Sequence, residues 1–423
     1  MKLTDKLTNT LFNTYKYKTD SEAVIIACYF NPQNNPYRLK AFKIFYESIR
    51  HLNHRIIECV IGDAKPQLEE SVNITRVNTP NLLWHKESLL NLAVANLPAK
   101  FKYVFWVDTD VIFTNTNWMV EAVKELKEHR LVQLFEYCIH LDKDQLEPHF
   151  DVTHEYEYAS NPKVRHPKMW RSFGANYVTT DFSGDSNYDK HGHVGFAWGA
   201  RREILDAVPL YDRALIGGAD HVISHAAAGQ IPHSCITKSF TENIEEVNEW
   251  SQKFYNAVKG KIGYVKGDLY HIWHGDIETR QYLKRIQEYT PTVKTITEKD
   301  DNGLHITNKK DDKYIKQYFN HREVKSKTRT EQKQYLQTIY PDGDDSFIES
   351  MLIAYFTDST IMGAGIGGNI AGAFIGEMLA DNSQAQQVDM GGGDFGGGGA
   401  GGTWDTPTDN TTNNDNTHSE NFS

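Results

Sequence analysis

Two aspartates separated by one residue, Asp108 and Asp110, follow an apolar run of strand type at 103–107. A strand that is apolar on both faces is typical of the centre of a covered sheet, where it can hold its last residues rigidly at the mouth of a cleft. Carboxylates at positions i and i+2 offer acceptor-only oxygen ligands to a hard divalent cation. A polar turn after a buried strand is the competing interpretation, and an Asp-x-Asp pattern alone does not exclude it.

The chain before this motif alternates apolar runs with helical patterns. Strands are predicted at 23–30, 56–61, 72–77 and 103–107, and helices at 37–52 and 83–97; beyond the motif, further strands are predicted at 131–139 and 193–200. This rhythm favours an α/β fold with an open, mostly parallel sheet flanked by helices. Ligands of such sheets bind beyond the carboxyl ends of the strands. Asn31, Asp63 and the Asp108/Asp110 pair all fall at that edge, and their convergence favours a metal site.

Composition separates a folded part from an acidic tail. The 423 residues are 39% hydrophobic and 12% aromatic, which is enough for a sizeable core. From Glu331 onward there are 14 acidic residues and one basic residue, so that of the net charge of −11 the tail carries −13 and residues 1–330 carry about +2. Without a basic stripe, nucleic acid is not an expected partner. The four cysteines show no C-x-x-C spacing and the N-terminus has no apolar signal region, which predicts reduced thiols and a cytoplasmic location.

Several blocks in a fixed order carry a resemblance to a known family. They lie at 28–32 (CYFNP), 84–91 (WHKESLLN), 108–110 (DTD), 195–202 (GFAWGARR), 217–221 (GGADH) and 271–275 (HIWHG). Over about 21–323 the chain resembles nucleotide-sugar glycosyltransferases of the Rossmann-like GT-A fold, closest to galactosyltransferase-like and family-2-like bacterial or phage members. The ordered set is specific for the fold and for sugar transfer, but not for the sugar. The chain beyond about 340 lies outside the resemblance.

The resemblance implies a divalent metal, Mn²⁺ or Mg²⁺, that bridges the phosphates of the donor. It implies Asp110 as a direct ligand and Asp108 as a residue nearer the ribose or a metal-bound water, two roles that the residues alone do not apportion. A histidine from the block at 271–275 would complete the shell, with His274 preferred and His271 close behind. Strand alternation predicts that these two histidines lie on opposite faces.

The donor-binding residues that the resemblance implies are Phe30, Asn31, Asp63, Lys86, Asn91, Asp108, Trp198, Gly217, Gly218 and Arg280. A structural alternative stays open for several of them. Lys86 fits a phosphate contact and a solvated helix charge equally well, and Asp63 fits a capping acid. Trp198 offers a flat apolar face for a sugar ring but is also an ordinary core residue. Arg280, with Arg285 behind it, fits either a clamp over the diphosphate or a surface ion pair.

Asp220 is the candidate catalytic residue, because an acid at this position of the resembling family faces the donor sugar and the acceptor. It would accept the proton of the acceptor hydroxyl, as the general base of an inverting displacement. A helix cap is the structural alternative, and a retaining enzyme would need another role for it. In the irregular stretch at 131–192, His149, Asp151 and His154 form a weaker candidate for a second metal site.

The predicted organisation has five parts. An N-terminal extension at 1–20 precedes a GT-A domain at 21–323, whose halves at 21–130 and 131–323 would bind the nucleotide and the acceptor. A linker at 324–345 leads to a small-residue apolar segment at 346–382, in which glycines recur at every fourth position from Gly368 to Gly376. That spacing permits close helix approach, so self-association or peripheral membrane association stays open. The rest, 383–423, is Gly-rich and then Asn/Thr-rich, which predicts disorder.

The sequence therefore predicts a metal-dependent hexosyltransferase that moves a sugar from a nucleotide diphosphate sugar, most simply a UDP-sugar, to a glycan or cell-surface precursor. A nucleotidyltransferase of similar fold is one alternative, although it would normally carry a glycine-rich basic loop after the first strand, where this chain has the residues Phe30-Asn31-Pro32-Gln33. A non-catalytic carbohydrate-binding or assembly protein is the other.

Overall fold

The computed structural model describes residues 16–148, 168–180, 182, 191–233, 236, 240, 243–275, 296, 298–307, 313, 315–316 and 319. The predictions for the linker, the small-residue segment and the tail lie outside the described residues. So do those for Arg280, Arg285, and the group of His149, Asp151 and His154.

The strands of the described residues form two sheets. They are β1 Ala23–Phe30, β2 His54–Ile61, β3 Ile74–Thr79, β4 Tyr103–Val107, β5 Val111–Phe113, β6 Leu131–Gln133, β7 Tyr137–His140, β8 Met169–Arg171, β9 Ala197–Arg201, β10 Ile262–Tyr264 and β11 Asp268–His271. The larger sheet has the order β10-β6-β9-β4-β1-β2-β3, and the smaller has the order β5-β11-β7-β8. In the larger sheet four of the six neighbouring pairs are parallel, and β9 runs antiparallel to both of its neighbours.

Helices cover both faces of the larger sheet. They are α1 Pro36–Ile49, α2 Lys86–Ala95, α3 Trp118–Glu128, α4 Phe173–Thr179, α5 Arg202–Ala207, α6 Ala219–Ala227 and α7 Ile244–Val258. Alternate residues of β1 enter two separate cores: Ile25 packs with residues of α1 and α3, and Ile26 packs with residues of α2, α6 and α7. Burial on both faces explains why these strands are continuous apolar runs. The predicted α/β class with a mostly parallel sheet flanked by helices is confirmed.

The Asp-Thr-Asp motif connects the two sheets. Asp108 follows β4 of the larger sheet, and Asp110 precedes β5 of the smaller one. Strand β5 pairs antiparallel with β11, which places Val111 opposite His271. The backbone N–H of Ile272 donates to the carbonyl of Asp110 at 2.8 Å, which continues this pairing by one residue. The end of β11 is therefore held directly beside the second aspartate of the motif.

Two strand predictions in the second half of the chain are wrong in detail. The apolar stretch at 131–139 is not one strand, because β6 belongs to the larger sheet and β7 to the smaller, with the chain crossing between them at 134–136. The strand predicted at 193–200 begins only at Ala197, since the preceding Phe196 has a φ of 74° that no regular strand accommodates. Among the described residues, no helix combines the length and the apolar character that crossing a membrane requires.

Candidate active site

Three side chains that can ligate a metal converge where the two sheets meet. Asp110, His271 and His274 each offer a ligand atom, and these atoms lie within 4.8 Å of one another. Oδ2 of Asp110 lies 2.9 Å from Nε2 of His274 and 3.8 Å from Nε2 of His271. Both imidazoles are buried, while about a fifth of the Asp110 side chain is exposed. Among the described residues, the group is open to solvent on the side of the carboxylate.

The expectation that His271 and His274 lie on opposite faces is wrong. Strand alternation does not extend past His271, because β11 ends there. The chain then bends, and the side-chain amide of Asn35, the residue that caps α1, donates to the carbonyl of His274 at 3.3 Å. This turn places the imidazole of His274 beside the carboxylate of Asp110, which the imidazole of His271 also approaches.

The chemistry of this donor set fits a divalent cation. One carboxylate and two imidazoles would leave further coordination positions for water or phosphate oxygens. Imidazole is a ligand of borderline metals, whereas Mg²⁺ prefers a shell of oxygens. The set therefore suits Mn²⁺ better than Mg²⁺. Asp108 is not a member of this set, because its carboxylate turns the other way, toward Lys86.

A second charged group lies on the other side of the motif. The ammonium of Lys86, in the first turn of α2, lies 2.8 Å from Oδ1 of Asp108 and 3.3 Å from Oδ1 of Asp220. The Lys86 side chain is 10% exposed, and the two carboxylates are 29% and 26% exposed. The backbone N–H of Asp108 donates to the carbonyl of Phe196 at 2.8 Å, which fixes the aspartate next to β9. The solvated-charge interpretation of Lys86 is therefore wrong.

The charges of this group lie close together and are largely shielded from solvent. Burial lowers the pKa of Lys86, but Asp108, Asp220 and Glu87 outweigh it and hold that pKa well above its ordinary value. Burial raises the pKa of Asp108; Lys86 opposes this effect, and Asp220 and Asp110 add to it. Glu87 is 3% exposed, and burial raises the pKa of its carboxyl despite the adjacent ammonium. Lys86 thus stays charged at neutral pH.

Two consecutive glycines precede the helix that places Asp220 beside Lys86. Gly217 and Gly218 have φ values of 94° and 106°, a region that favours glycine, and Gly218 is the N-cap of α6. Asp220 lies in the first turn of that helix and is not its cap, so the capping alternative is wrong. A Cβ on Gly195 would lie 3.4 Å from Oδ2 of Asp220 and 3.3 Å from Cε1 of His193. The carboxylate of Asp220 and the imidazole of His193 therefore both pack closely against the backbone of Gly195.

The structure places Phe30, Asn31 and Asp63 at the carboxyl edge of the larger sheet. Phe30 is half-buried against Trp84 and Phe319, with ring centroids 6.2 and 5.6 Å away. Asp63 is exposed in the turn after β2. The Asn31 amide donates to Tyr29, Asn35 and Gln67, and the side chain lines a small cavity over β1 and β2.

Asn91 and Trp198 make bonds inside the fold. Asn91 receives the backbone N–H of Leu210 at 2.8 Å and donates to the carbonyl of the same residue at 2.9 Å, which ties α2 to the chain after α5. Trp198 is 1% exposed, and its indole N–H donates to the carbonyl of Val194 at 2.7 Å. It has no face to offer a sugar ring. The core-packing alternative is thus the correct one for Trp198.

Phe196 lies beside the site although the sequence predicts no role for it within the block at 195–202. Its left-handed backbone is unusual for an aromatic residue and marks strain, which tends to cluster at functional sites. The ring stacks on His271 with centroids 5.0 Å apart and on His193 at 4.2 Å. Phe196 thereby orients one imidazole of the candidate metal-binding set, and its carbonyl accepts a hydrogen bond from the backbone N–H of Asp108. A positive φ at a bulky residue arises from tertiary context and leaves no local pattern.

Comparisons with known proteins give only a distant likeness. No family model matches the chain, and no curated protein matches its sequence. One similar solved structure is a mutant Drosophila β1,4-galactosyltransferase 7 in complex with manganese, UDP-Gal and xylobiose, with 11% identity, 66% of this chain and 83% of that chain covered, and a TM-score of 0.31. A glucosyl-3-phosphoglycerate synthase from Mycobacterium tuberculosis in complex with Mg²⁺ and UDP has 10% identity, 68% and 81% coverage, and a TM-score of 0.28. A 4-diphosphocytidyl-2C-methyl-D-erythritol synthase from Anaerococcus prevotii has 10% identity, 74% and 99% coverage, and a TM-score of 0.26. TM-scores this low describe a coarse likeness, from which no function follows.

Proposed function

We propose that this protein is a metal-dependent glycosyltransferase of the GT-A type, which transfers a sugar from a nucleotide diphosphate sugar, most simply a UDP-sugar, to a hydroxyl of a glycan or cell-surface precursor. One observation carries the proposal. Asp110, His271 and His274 converge on one side of the Asp-Thr-Asp motif, and Lys86, Asp108 and Asp220 converge on the other. A metal-dependent, inverting sugar transfer needs both parts, a cation site for the leaving group and a base for the acceptor.

The first part binds the leaving group. Asp110, His271 and His274 would hold a divalent cation, preferably Mn²⁺, whose Lewis acidity neutralises the charge that develops on the departing diphosphate. The burial of both imidazoles keeps water away from their ligand atoms on the protein side. Phe196 stacks on His271 and limits its ring to one orientation. The protein thus supplies a preorganised set that does not need to rearrange when the charge appears.

The second part acts on the acceptor. Asp220 would take the proton of the acceptor hydroxyl on a carboxylate oxygen, while the hydroxyl oxygen forms a bond to the anomeric carbon. The bond from that carbon to the phosphate oxygen breaks, and the nucleotide diphosphate leaves with the electron pair. About a quarter of the Asp220 side chain is exposed, so an acceptor can reach it. Lys86 holds this carboxylate and that of Asp108 in fixed relation at the reacting face.

The residues named as donor contacts have unequal support. Lys86, Asp108, Gly217 and Gly218 lie in or next to the second part, and Asn31 and Asp63 lie at the sheet edge where a nucleoside would be held. Arg280 remains a proposal without a described position. The two alternatives, a nucleotidyltransferase and a non-catalytic carbohydrate-binding protein, are distinguished by experiment below.

The test is a panel of UDP-, GDP- and TDP-sugars incubated with the full chain and Mn²⁺, with release of nucleotide diphosphate as the readout. We expect one nucleotide class to be turned over, and turnover to stop when a chelator removes the metal. Release of pyrophosphate from a nucleoside triphosphate and a sugar phosphate would instead establish the nucleotidyltransferase. Binding of a sugar without any turnover of the panel would favour the non-catalytic protein.

The base assignment has its own test. Asp220→Asn keeps the shape of the side chain but removes its ability to accept a proton, so transfer should fall by ~10²–10⁴-fold. Binding of Mn²⁺ and of the donor should stay within a few-fold of the unmodified protein. Asp206→Asn, an exposed aspartate on α5 paired with Arg202, is the matched control and should leave transfer unchanged. Equal rates for Asp220→Asn and the unmodified protein would remove Asp220 from the mechanism.

A further inference from the structure

A second group of metal-ligating side chains lies outside the set around Asp110. Cys138, His140 and His193 each offer a ligand atom, and these atoms lie within 4.8 Å of one another. Cys138 is fully buried, and the two histidines are partly exposed. Neither the proposed sugar transfer nor the sequence motifs use any of the three.

The backbone explains why the three meet. Cys138 and His140 are two residues apart on β7, so that their side chains point to the same face of the smaller sheet. His193 is held beside them by its N–H, which donates to the carbonyl of Arg171 at 2.8 Å, and by its carbonyl, which accepts from the N–H of Phe173 at 3.0 Å. Two of the candidate ligands are therefore fixed by a strand, and the third by a bridge to the end of β8.

Ring contacts restrain both imidazoles. His193 stacks on Phe196 with centroids 4.2 Å apart and a tilt of 11°. His140 packs edge-on against Trp170 at 4.8 Å and lies 4.6 Å from the ring of His271. Because the rings have little freedom, the loss of side-chain entropy on binding an ion is small. The arrangement is that of a preformed set of ligands.

The backbone N–H of Gly195 donates to Nδ1 of His193 at 3.1 Å, which assigns the lone pair of that ring to Nδ1. An ion bound at Nδ1 would replace this hydrogen bond directly. An ion bound at Nε2 would require the proton to move to Nδ1, where it would face the N–H of Gly195. Binding at Nδ1 is therefore the less costly of the two, because it exchanges one ordinary hydrogen bond for a coordinate bond.

We infer that Cys138, His140 and His193 form a second cation site, selective for a borderline divalent ion of the Zn²⁺ class. One thiolate and two imidazoles are the donors that such ions prefer, and three protein ligands leave a fourth position for water or another ligand. Binding releases the thiol proton to solvent and forms the metal–sulfur bond. The neighbouring set of Asp110, His271 and His274 has a carboxylate in place of the thiolate, so it accepts the harder Mn²⁺ more readily than the thiolate set does.

Cobalt titration of the full chain under reducing conditions tests this inference. Co²⁺ bound to a thiolate gives an intense charge-transfer absorption in the near ultraviolet, which a site made of oxygen and nitrogen ligands does not give. We expect this band in the unmodified protein and its loss in Cys138→Ser. It should persist in Asp110→Asn, which damages only the other set, and in Cys59→Ser, the control for another buried thiol. Zn²⁺ added afterwards should remove the band by displacing the cobalt.

A protein without the band, or a band that survives Cys138→Ser, would overturn the inference. If Cys138→Ser proves unstable, His193→Ala provides the second variant, because its side chain is partly exposed and its loss should weaken cobalt binding by at least ~10-fold. Cobalt binding to His193→Ala with unchanged affinity would also overturn it. The inference does not rest on sugar transfer, since the absorption is read without donor or acceptor.

Discussion

The two aspartates of the Asp-Thr-Asp motif are one residue apart in sequence, but they belong to different regions of the molecule. Asp108 follows β4 of the larger sheet and pairs with Lys86, while Asp110 precedes β5 of the smaller sheet and faces His271 and His274. In the sequence the pair is one feature, two carboxylates for one cation. In the structure each aspartate takes part in a different chemical environment.

The two sheets explain this division. Strands of the larger sheet reach eight residues and are buried on both faces, so their ends are rigid and carry crowded charges. Strands of the smaller sheet have three or four residues, and one candidate metal ligand, His274, lies beyond the end of its strand. The larger sheet thus fixes an electrostatic arrangement, whereas the smaller one gathers ligands from segments distant in sequence. Variants of single residues in each region would show whether the two are as separate as their contacts indicate.

The largest difference is expected for metal binding. Asp110→Asn should weaken Mn²⁺ binding by more than ~100-fold, since even the loss of an outer partner of a metal ligand costs ~10–100-fold. Asp108→Asn should change Mn²⁺ affinity by only a few-fold, because its carboxylate contacts Lys86. Electron paramagnetic resonance of free Mn²⁺ measures both. Equal losses in the two variants would mean that both aspartates ligate the ion, as the sequence motif alone suggests.

The free energy of unfolding should depend on the charged group around Lys86, which is not expected to affect Mn²⁺ affinity. Lys86→Met removes the cation between Asp108 and Asp220 and leaves two partly buried carboxylates without it. Removal of one partner from a fully buried pair costs about 3–5 kcal/mol. A quarter of each carboxylate is exposed, so we expect a smaller cost of about 2–3 kcal/mol in the free energy of unfolding.

Urea unfolding measures this cost, and Lys124→Met, an exposed lysine on α3, is the matched control. The control should change the free energy of unfolding by less than about 0.5 kcal/mol. If Lys86→Met proves as stable as this control, the charged group of the larger sheet does not contribute to the stability of the fold. Mn²⁺ affinity should be unchanged in both variants.

The interior of the larger sheet provides a third contrast. Gly199 lies in the middle of β9, and a Cβ there would lie 2.4 Å from Cδ1 and 2.7 Å from Cε1 of Phe105. Gly199→Ala should therefore lower the free energy of unfolding by about 1–3 kcal/mol through overpacking. The ligands of the smaller sheet should be unaffected, so Mn²⁺ binding at low denaturant should stay unchanged. A coupled loss of Mn²⁺ affinity would show that the two sheets respond as one unit.

The difference between the two sheets also explains which strands the sequence could predict. Strands β1, β2 and β4 follow from their apolar runs, because burial on both faces leaves a local pattern that requires no knowledge of the partners. The split at 134–136 had no such signal, since Leu134 and Phe135 are as apolar as a strand, and only long-range pairing assigns β6 and β7 to different sheets.

For the candidate site, the residues could be named in advance but their grouping could not. Asp110, His271 and His274 were named from the Asp-x-Asp pattern together with the family resemblance, and the structure brings them together. Their common orientation depends on where β11 ends and on the bond from Asn35, which are tertiary facts. The interpretation of Trp198 as a contact of the donor sugar is wrong for the same reason, because burial of a side chain is also a tertiary property. A tryptophan in an apolar strand looks alike whether its face is open or covered, and here it is covered.

The smallest effect concerns His85, at the start of α2. Burial lowers the pKa of its imidazole from 6.5 to about 4, against the raising effect of its bond to the carbonyl of Asn81 at 3.0 Å. In the unfolded chain the ring takes up a proton near pH 6.5, but in the folded protein only near pH 4. The unfolded state thus binds more protons between these values, and stability is lost as the pH falls through that window.

His85→Gln removes this titration while keeping a donor that can reach Asn81. Between pH 7 and 5.5 the unmodified protein should lose about 1 kcal/mol more free energy of unfolding than the variant, since one pKa unit corresponds to about 1.4 kcal/mol. Urea unfolding at the two pH values measures the difference, and the other titrating groups cancel because both proteins share them. Identical pH dependence in the two proteins would mean that the start of α2 opens enough to hydrate His85. The helix that carries Lys86 would then be less firmly held than its contacts with the larger sheet indicate.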